Sequence, residues 1–275
     1  MGRNRGARQP LESFAISRGA VSFVALGLVA SASVVPLTRV PAASTEEQLP
    51  VEGTSAAPIP QSAQARLVAA LRSKIPIDPI VIAADPYMIW HAKEPPRPPA
   101  DTVCGVRFER DQVHYRLSTF ATSVAARAAG FAVTHFGACG TCSTLQDLAV
   151  YLETPDLTAP VRRCGIRTDS SAGLACVEAL GFSTACAQTW LYNVQNTRRQ
   201  CFGVCAWSWI TGEAPTREDG RLNACLQCDE DRSGAVFKAT AGRTRRNSGI
   251  HSSIPRSTDE IAPVVHDYVP DLAPR

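Results

Sequence analysis

Apolar and polar positions along this chain fall into three regimes. From Gly19 to Leu37 the run "GAVSFVALGLVASASVVPL" carries no charge, and it follows an n-region holding Arg3, Arg5, Arg8 and Arg18. Such a run is a signal peptide or a signal-anchor helix over residues 19–38, with residues 1–18 cytoplasmic and the rest of the chain outside the cytosol. Residues 39–61 are rich in Pro, Ala, Ser and Thr and lack aromatics, so they read as a disordered stalk. Over 62–100 the pattern predicts a short helix ("SAQARLVAALRS") and then a Pro-rich linker ending in "EPPRPP".

The third regime, residues 101–275, holds the periodic segments. "GVRFE" and "VHYRLSTF" alternate on either side of "RDQ", as a hairpin does. "SVAARAAGF" predicts a helix and "FAVTHF" a short buried run. Leu145, Leu148, Ala149 and Leu152 recur at helical spacing behind a Ser143/Gln146 capping signature, and Pro155 stops the helix. Two further helices follow: "SSAGLACVEALG", closed by Gly181, and the longer "STACAQTWLYNVQNTRRQCFGVC". The expected fold is mainly α with a small β-hairpin, one disulfide-rich globular domain.

Charge changes this picture little. The formal +3 sits in residues 1–100, and residues 101–275 are balanced. A balanced domain lacks the basic face that nucleic acid requires, so no nucleic-acid partner is expected.

Cysteine changes it more. All ten cysteines lie at or beyond Cys104, and an even set in an exported domain defaults to disulfides. Cys201 and Cys205 share one helical face from which both reach a neighbouring helix, and they are poor partners for each other. Cys139/Cys142 and Cys225/Cys228 have the look of two zinc knuckles, but 82 residues separate them. No metal and no cofactor is expected. The localisation that follows is membrane, single-pass with the C-terminal domain outside, or secreted.

"FGACGTCS" (136–143) is the candidate for chemistry. A CxxC before a helix resembles the thioredoxin-type redox segment, although the usual Pro is missing from its third position. The stretch also resembles the papain-type segment around C-G-S-C-W. That resemblance implies Cys142 as nucleophile, Cys139 as a disulfide partner, and His251 or His266 as the partner histidine; Phe136 stands where it wants Gln and Ser143 where it wants Trp. The residues themselves offer Cys142 and Cys139 for redox or hydrolase work, with His135 close enough in sequence to assist. The alternative is a non-catalytic extracellular binding module. In it "AGRTRRNSG" supplies Arg243, Arg245, Arg246, Asn247 and Ser248 to a small anionic ligand, with Arg198 and Arg199 as reinforcements.

Overall fold

A computed structural model describes residues 61–90, 94–95, 97–254 and 260–270. The n-region, the 19–38 segment and the stalk up to residue 60 lie outside the described residues.

The sheet is built around the expected hairpin. Strands β2 (Val103–Phe108) and β3 (His114–Phe120) pair antiparallel from Val103↔Phe120 to Phe108↔Tyr115. In the turn between them the Asp111 carboxylate accepts the N–H groups of Val113 and His114, and Gln112 takes positive φ. Two strands flank the hairpin. The two-residue β1 (Ile75–Pro76) runs parallel to β3, and β4 (Ala132–Phe136), the "FAVTHF" run, pairs antiparallel with β2, giving the order β1-β3-β2-β4. A register shift in β2 between Cys104 and Gly105 sets Cys104 opposite His135. Beneath Gly105 lie Phe131 and Phe120, so close that a Cβ there would stand 2.8 Å from the Phe131 Cβ.

The folded unit includes residues well ahead of residue 101. Helix α1 (Gln61–Arg72) buries Leu67, Val68 and Leu71 against α4 (Leu145–Glu153), in the same core as Leu145, Leu148 and Val150. Each such side chain contributes roughly 1.5–3 kcal/mol on leaving water, so α1 is part of the domain and not of a linker. The one-turn helix α2 (Pro86–Ile89), capped by Asp85, inserts Tyr87, whose hydroxyl donates to Asn193 Oδ1 at 2.6 Å.

Helix α3 (Ser123–Ala128) packs on the sheet, and the remaining helices assemble around α7. Helices α5 (Thr158–Gly165) and α6 (Ser170–Glu178) flank the first half of α7 (Thr184–Ile210). Helix α8 (Ala224–Asp229) lies along its second half, and a π-turn at Glu230–Gly234 leads into α9 (Ala235–Ala241). Ser183, the first residue of the predicted "STACAQ" helix, caps α7 by accepting the Cys186 N–H. The molecule is therefore mainly helical, with a four-stranded sheet in place of a lone hairpin.

Five disulfides join the ten cysteines: Cys104–Cys139, Cys142–Cys186, Cys164–Cys176, Cys201–Cys228 and Cys205–Cys225. Cys201 and Cys205, on one face of α7, both reach α8 as their spacing requires. Ten paired cysteines are consistent with an extracellular or secreted domain. Among the described residues no helix is long and apolar enough to cross a membrane.

Candidate functional site

The "FGACGTCS" loop is a structural junction. Cys139 is bonded to Cys104 on β2 and Cys142 to Cys186 in the first turn of α7, so the two are not partners and neither is a thiol. Cys142 is fully buried. The small residues of the loop serve a close crossing. Thr141 and Cys142 donate their N–H groups to Thr240 and Ala241, and a Cβ on Gly140 would stand 2.4 Å from the Thr240 carbonyl oxygen. Gly242 on the other chain has φ +70°, and its own Cβ would lie 2.5 Å from Gly140 N. Two backbones touch there, and only glycine fits on each side.

His135 does not face either sulfur. It is buried, with Nδ1 2.8 Å from the Phe136 carbonyl and Nε2 2.8 Å from Ser143 Oγ. A carbonyl only accepts, so Nδ1 carries the proton and Nε2 receives the Ser143 hydroxyl. Burial, helped by Arg243, holds its pKa well below the ordinary value and keeps the ring neutral. Ser143 is thereby excluded from capping α4. Thr144 caps the helix instead, accepting the Asp147 N–H at 3.1 Å and donating its hydroxyl to the Asp147 carboxylate. Asp147 also accepts from the N–H and hydroxyl of Ser183, so it ties the start of α4 to the start of α7 beside the Cys142–Cys186 bond. Burial pushes its pKa up to about 6, against those hydrogen bonds.

The arginine cluster is likewise turned inward. Arg243 is 0 % exposed and spends all five N–H groups: Nε on the Cys142 carbonyl, Nη1 on the Thr134 carbonyl and Ser248 Oγ, Nη2 on Thr134 Oγ1 and the Ser143 carbonyl. Asn247 is a bracket inside the loop, donating to the Phe136 and Gly242 carbonyls and accepting from Thr244 N. Ser248 is buried. Arg245 donates to the carbonyls of Tyr151 and Thr154 at the end of α4, with its guanidinium 5.4 Å from the centre of the Tyr151 ring. Arg246 pairs with Glu260 and Arg199 with Asp85, so the expected anion cradle is not assembled. His266 closes the network: Nε2 donates to the Ser248 carbonyl, and Nδ1 accepts from Tyr268, whose oxygen also meets Thr134 Oγ1. His251 lies apart, exposed at the mouth of a cleft.

That cleft is the feature local sequence reasoning did not find. It encloses about 330 Å³ between the end of α4, the middle of α7, α9 and the segment 250–254. Trp190 and Phe237 form an aromatic wall with ring centres 4.6 Å apart, and Tyr151 and Phe182 extend it. Two polar atoms in this wall, Tyr151 Oη and Trp190 Nε1, are buried and make no well-aligned hydrogen bond among the described residues, although the indole lies near enough to the phenol to influence it. Tyr151 is 2 % exposed, and burial drives its phenol well above the ordinary range, with the Trp190 indole and Arg245 offsetting a little.

The charges lining the cleft balance, Asp156, Asp229 and Glu230 against Lys238, Arg245 and Arg246. Glu230 is paired with Lys238 and Arg246 with Glu260; Arg245 is spent on carbonyls, and Asp229 accepts from Thr197 and Asn193. Asp229 is held above the ordinary carboxylate range by burial.

Residues 170–264 match a family of unknown function (DUF8771). No curated protein and no solved structure matches the chain. The matched segment runs from α6 to beyond α9. It contains six of the ten cysteines, the Trp190/Phe237 part of the wall and the arginine loop, whereas Tyr151, at the end of that wall, lies outside it.

Proposed function

We propose that this chain is an exported, non-catalytic binding module whose disulfide-braced helices hold a small ligand in the Tyr151–Trp190 cleft. The observation that carries this reading is the aromatic wall of Trp190, Phe237 and Tyr151 along the cleft, behind which the Trp190 indole and the Tyr151 phenol lie near each other without a well-aligned hydrogen bond. A buried donor without a good hydrogen bond costs about 1–3 kcal/mol, so an acceptor atom that reached either group by a small shift of the wall would gain more there than it would from water. Thiol redox or hydrolase chemistry at Cys139 and Cys142 loses its support, since both sulfurs are committed to other partners. The anionic character expected of the ligand loses its support as well, because Arg243, Asn247 and Ser248 serve the interior and the charges around the cleft are matched. What suits the cleft is an uncharged molecule with a flat apolar face and a carbonyl or hydroxyl oxygen. Export rests on the arginine-bearing n-region and the uncharged run after it, together with the ten paired cysteines; membrane tethering rests on the 19–38 run alone.

Benzamide and ethylbenzene are probes that differ in having an acceptor. In proton–nitrogen correlation spectra of the full chain, benzamide at millimolar concentration is expected to move the Trp190 indole N–H resonance, assigned by its loss in Trp190→Phe. Ethylbenzene moves it less, and Tyr151→Phe weakens the benzamide effect several-fold. An indole resonance indifferent to both probes would sink the proposal.

A further inference from the structure

The second half of α7 carries a surface that the cleft does not use. Phe202, Val204, Trp207, Trp209 and Ile210 are 66, 43, 69, 69 and 75 % exposed, five of the thirteen large apolar side chains exposed among the described residues, all within nine positions. Phe202, Ala206, Trp209 and Ile210 stand at i, i+4, i+7 and i+8, so they form one stripe, with Trp207 at its edge. The opposite face of the same turns holds Cys201, Cys205 and Ser208, turned toward α8 by two disulfides and by the Asn223 amide on Ser208 Oγ. The arm has almost no core of its own. Its two cross-links fix the helix with its apolar stripe outward, a costly arrangement in water unless something covers it.

The occupant follows from the stripe's flanks. Helix α7 has no carboxylate in its 27 residues, and its two charges, Arg198 and Arg199, are exposed one turn before Phe202 on the same side as the stripe, with Arg199 held only by a long 3.8 Å contact to Asp85. In the loop beyond Ile210, Glu213 and Asp219 are answered by Arg217 and Arg221, and Glu218 adds one exposed carboxylate. Tryptophan and phenylalanine on one face, with arginines whose heads can rise to the phosphates, is the make-up of a helix lying in the bilayer interface. The chain supplies a reason for a membrane to be near. Between Leu37, the end of the uncharged run, and Gln61 lie 23 residues, able to span at most about 80 Å, twice the roughly 40 Å length of α7.

We infer that the outer face of α7 from Phe202 to Ile210 docks on a phospholipid bilayer, inserting Phe202, Trp209 and Ile210 among the headgroups and acyl chain ends with Arg198 and Arg199 at phosphate level. The cross-linked arm thereby fixes how the domain rests on the membrane.

The four tryptophans, Trp90, Trp190, Trp207 and Trp209, make this testable in the full chain, because residues 1–60 contain none and the 19–38 segment is silent in fluorescence. Full-length protein is mixed with phosphatidylcholine vesicles doped with brominated phosphatidylcholine, with and without phosphatidylglycerol. Emission is expected to shift to the blue and to be quenched, and Trp207→Phe/Trp209→Phe assigns that quenching to the arm. Phe202→Ser/Ile210→Ser keeps all four reporters and changes exposed positions only; it is expected to cut the quenching several-fold while the melting temperature holds. Greater quenching with phosphatidylglycerol supports the arginine contribution, and equal quenching supports insertion by the apolar stripe alone. Emission unquenched by brominated lipid, or quenching indifferent to the Phe202/Ile210 variant, overturns the inference. So does shielding of Trp207 and Trp209 that appears without vesicles and grows with protein concentration, which would make a second copy of the chain the occupant.

Discussion

Arg243 donates its Nε–H to the carbonyl of Cys142 at 3.2 Å across 101 residues of chain. The two residues that sequence reasoning assigned to separate sites, an anion cradle and a nucleophile, are thus adjacent parts of one buried joint. The joint gathers β4 through Thr134, the start of α4 through Cys142 and Ser143, and the loop after α9 through Ser248. A guanidinium suits the place because its five fixed donors match five neutral acceptors whose lone pairs would otherwise be buried unmet.

Arg243→Lys keeps the charge but brings three donors to five acceptors. Its expected effect is a loss of about 3 kcal/mol or more in urea unfolding, from a desolvated cation incompletely bonded and carbonyls left unpaired. Arg246→Lys, at a half-exposed pair with Glu260, is expected to change stability by less than about 0.5 kcal/mol. Equal effects at the two positions would contradict the account of the joint.

How much of this was legible in the sequence depends on the range of the interaction. The β2–β3 hairpin and helix α4 announce themselves through local alternation and the Leu145/Leu148/Ala149/Leu152 spacing, and their structural partners agree. The cap of α4 is one residue further on than Ser143, because Ser143 is drawn away by His135, a contact between separate elements. "FGACGTCS" looks reactive for a local reason, small residues before a helix. Its true reason is the backbone of residues 240–242 passing at touching distance, which no spacing within the loop reveals. Connectivity among ten cysteines and the Tyr151–Trp190 wall are non-local in the same way. Intervening prolines set helix α1 apart from the domain in the sequence pattern, although its Leu67/Leu71 stripe is that of a packed helix.

Gly140 tests the crossing directly. Gly140→Ala places a methyl 2.4–2.7 Å from the backbone of residues 240–242, so one chain must move. A destabilisation of about 3 kcal/mol is expected, together with a change in the near-ultraviolet spectrum. Gly203→Ala meets nothing within 4 Å in an exposed stretch of α7 and is expected to be neutral or slightly stabilising. A tolerated Gly140→Ala would show that the crossing is looser than described.

The disulfides should differ in reactivity according to burial. Native protein treated with iodoacetamide is expected to take up no label, since every cysteine is paired. Under graded dithiothreitol the Cys205–Cys225 bond, partly exposed at both ends, is expected to open first. Cys142–Cys186, fully buried at both ends, opens last and with global unfolding. Removing them as serine pairs gives a second ordering. Loops of 20 and 44 residues correspond to about 3 and 4 kcal/mol of lost chain restriction. Peptide mapping of partially alkylated protein reads the order, and early labelling of Cys142 would revive the thiol reading that its burial opposes.

The pH dependence of stability has a sign that each buried group sets separately. Burial, with the Arg243 charge behind it, lowers His266 from 6.5 to about 4, so between those values the unfolded chain binds a proton that the folded one refuses. Stability from this residue is complete above about pH 6.5 and is lost as pH falls toward 4. His135, depressed for the same reasons, acts in the same direction. Asp147 acts oppositely: raised from 3.8 to about 6, its contribution is complete below about pH 4 and is lost as pH rises through 6. The separation is made by difference. His266→Gln keeps a donor for the Ser248 carbonyl without the titration, so its destabilisation relative to the parent chain is expected to be largest at pH 7 and to shrink by about 3 kcal/mol by pH 4. Asp147→Asn is expected to give a difference that moves the other way, more damaging at pH 4 than at pH 7. Urea midpoints across this range decide the matter, and variants whose differences stay flat from pH 4 to 7 would mean that neither side chain is as deeply desolvated in solution as its position within the fold requires.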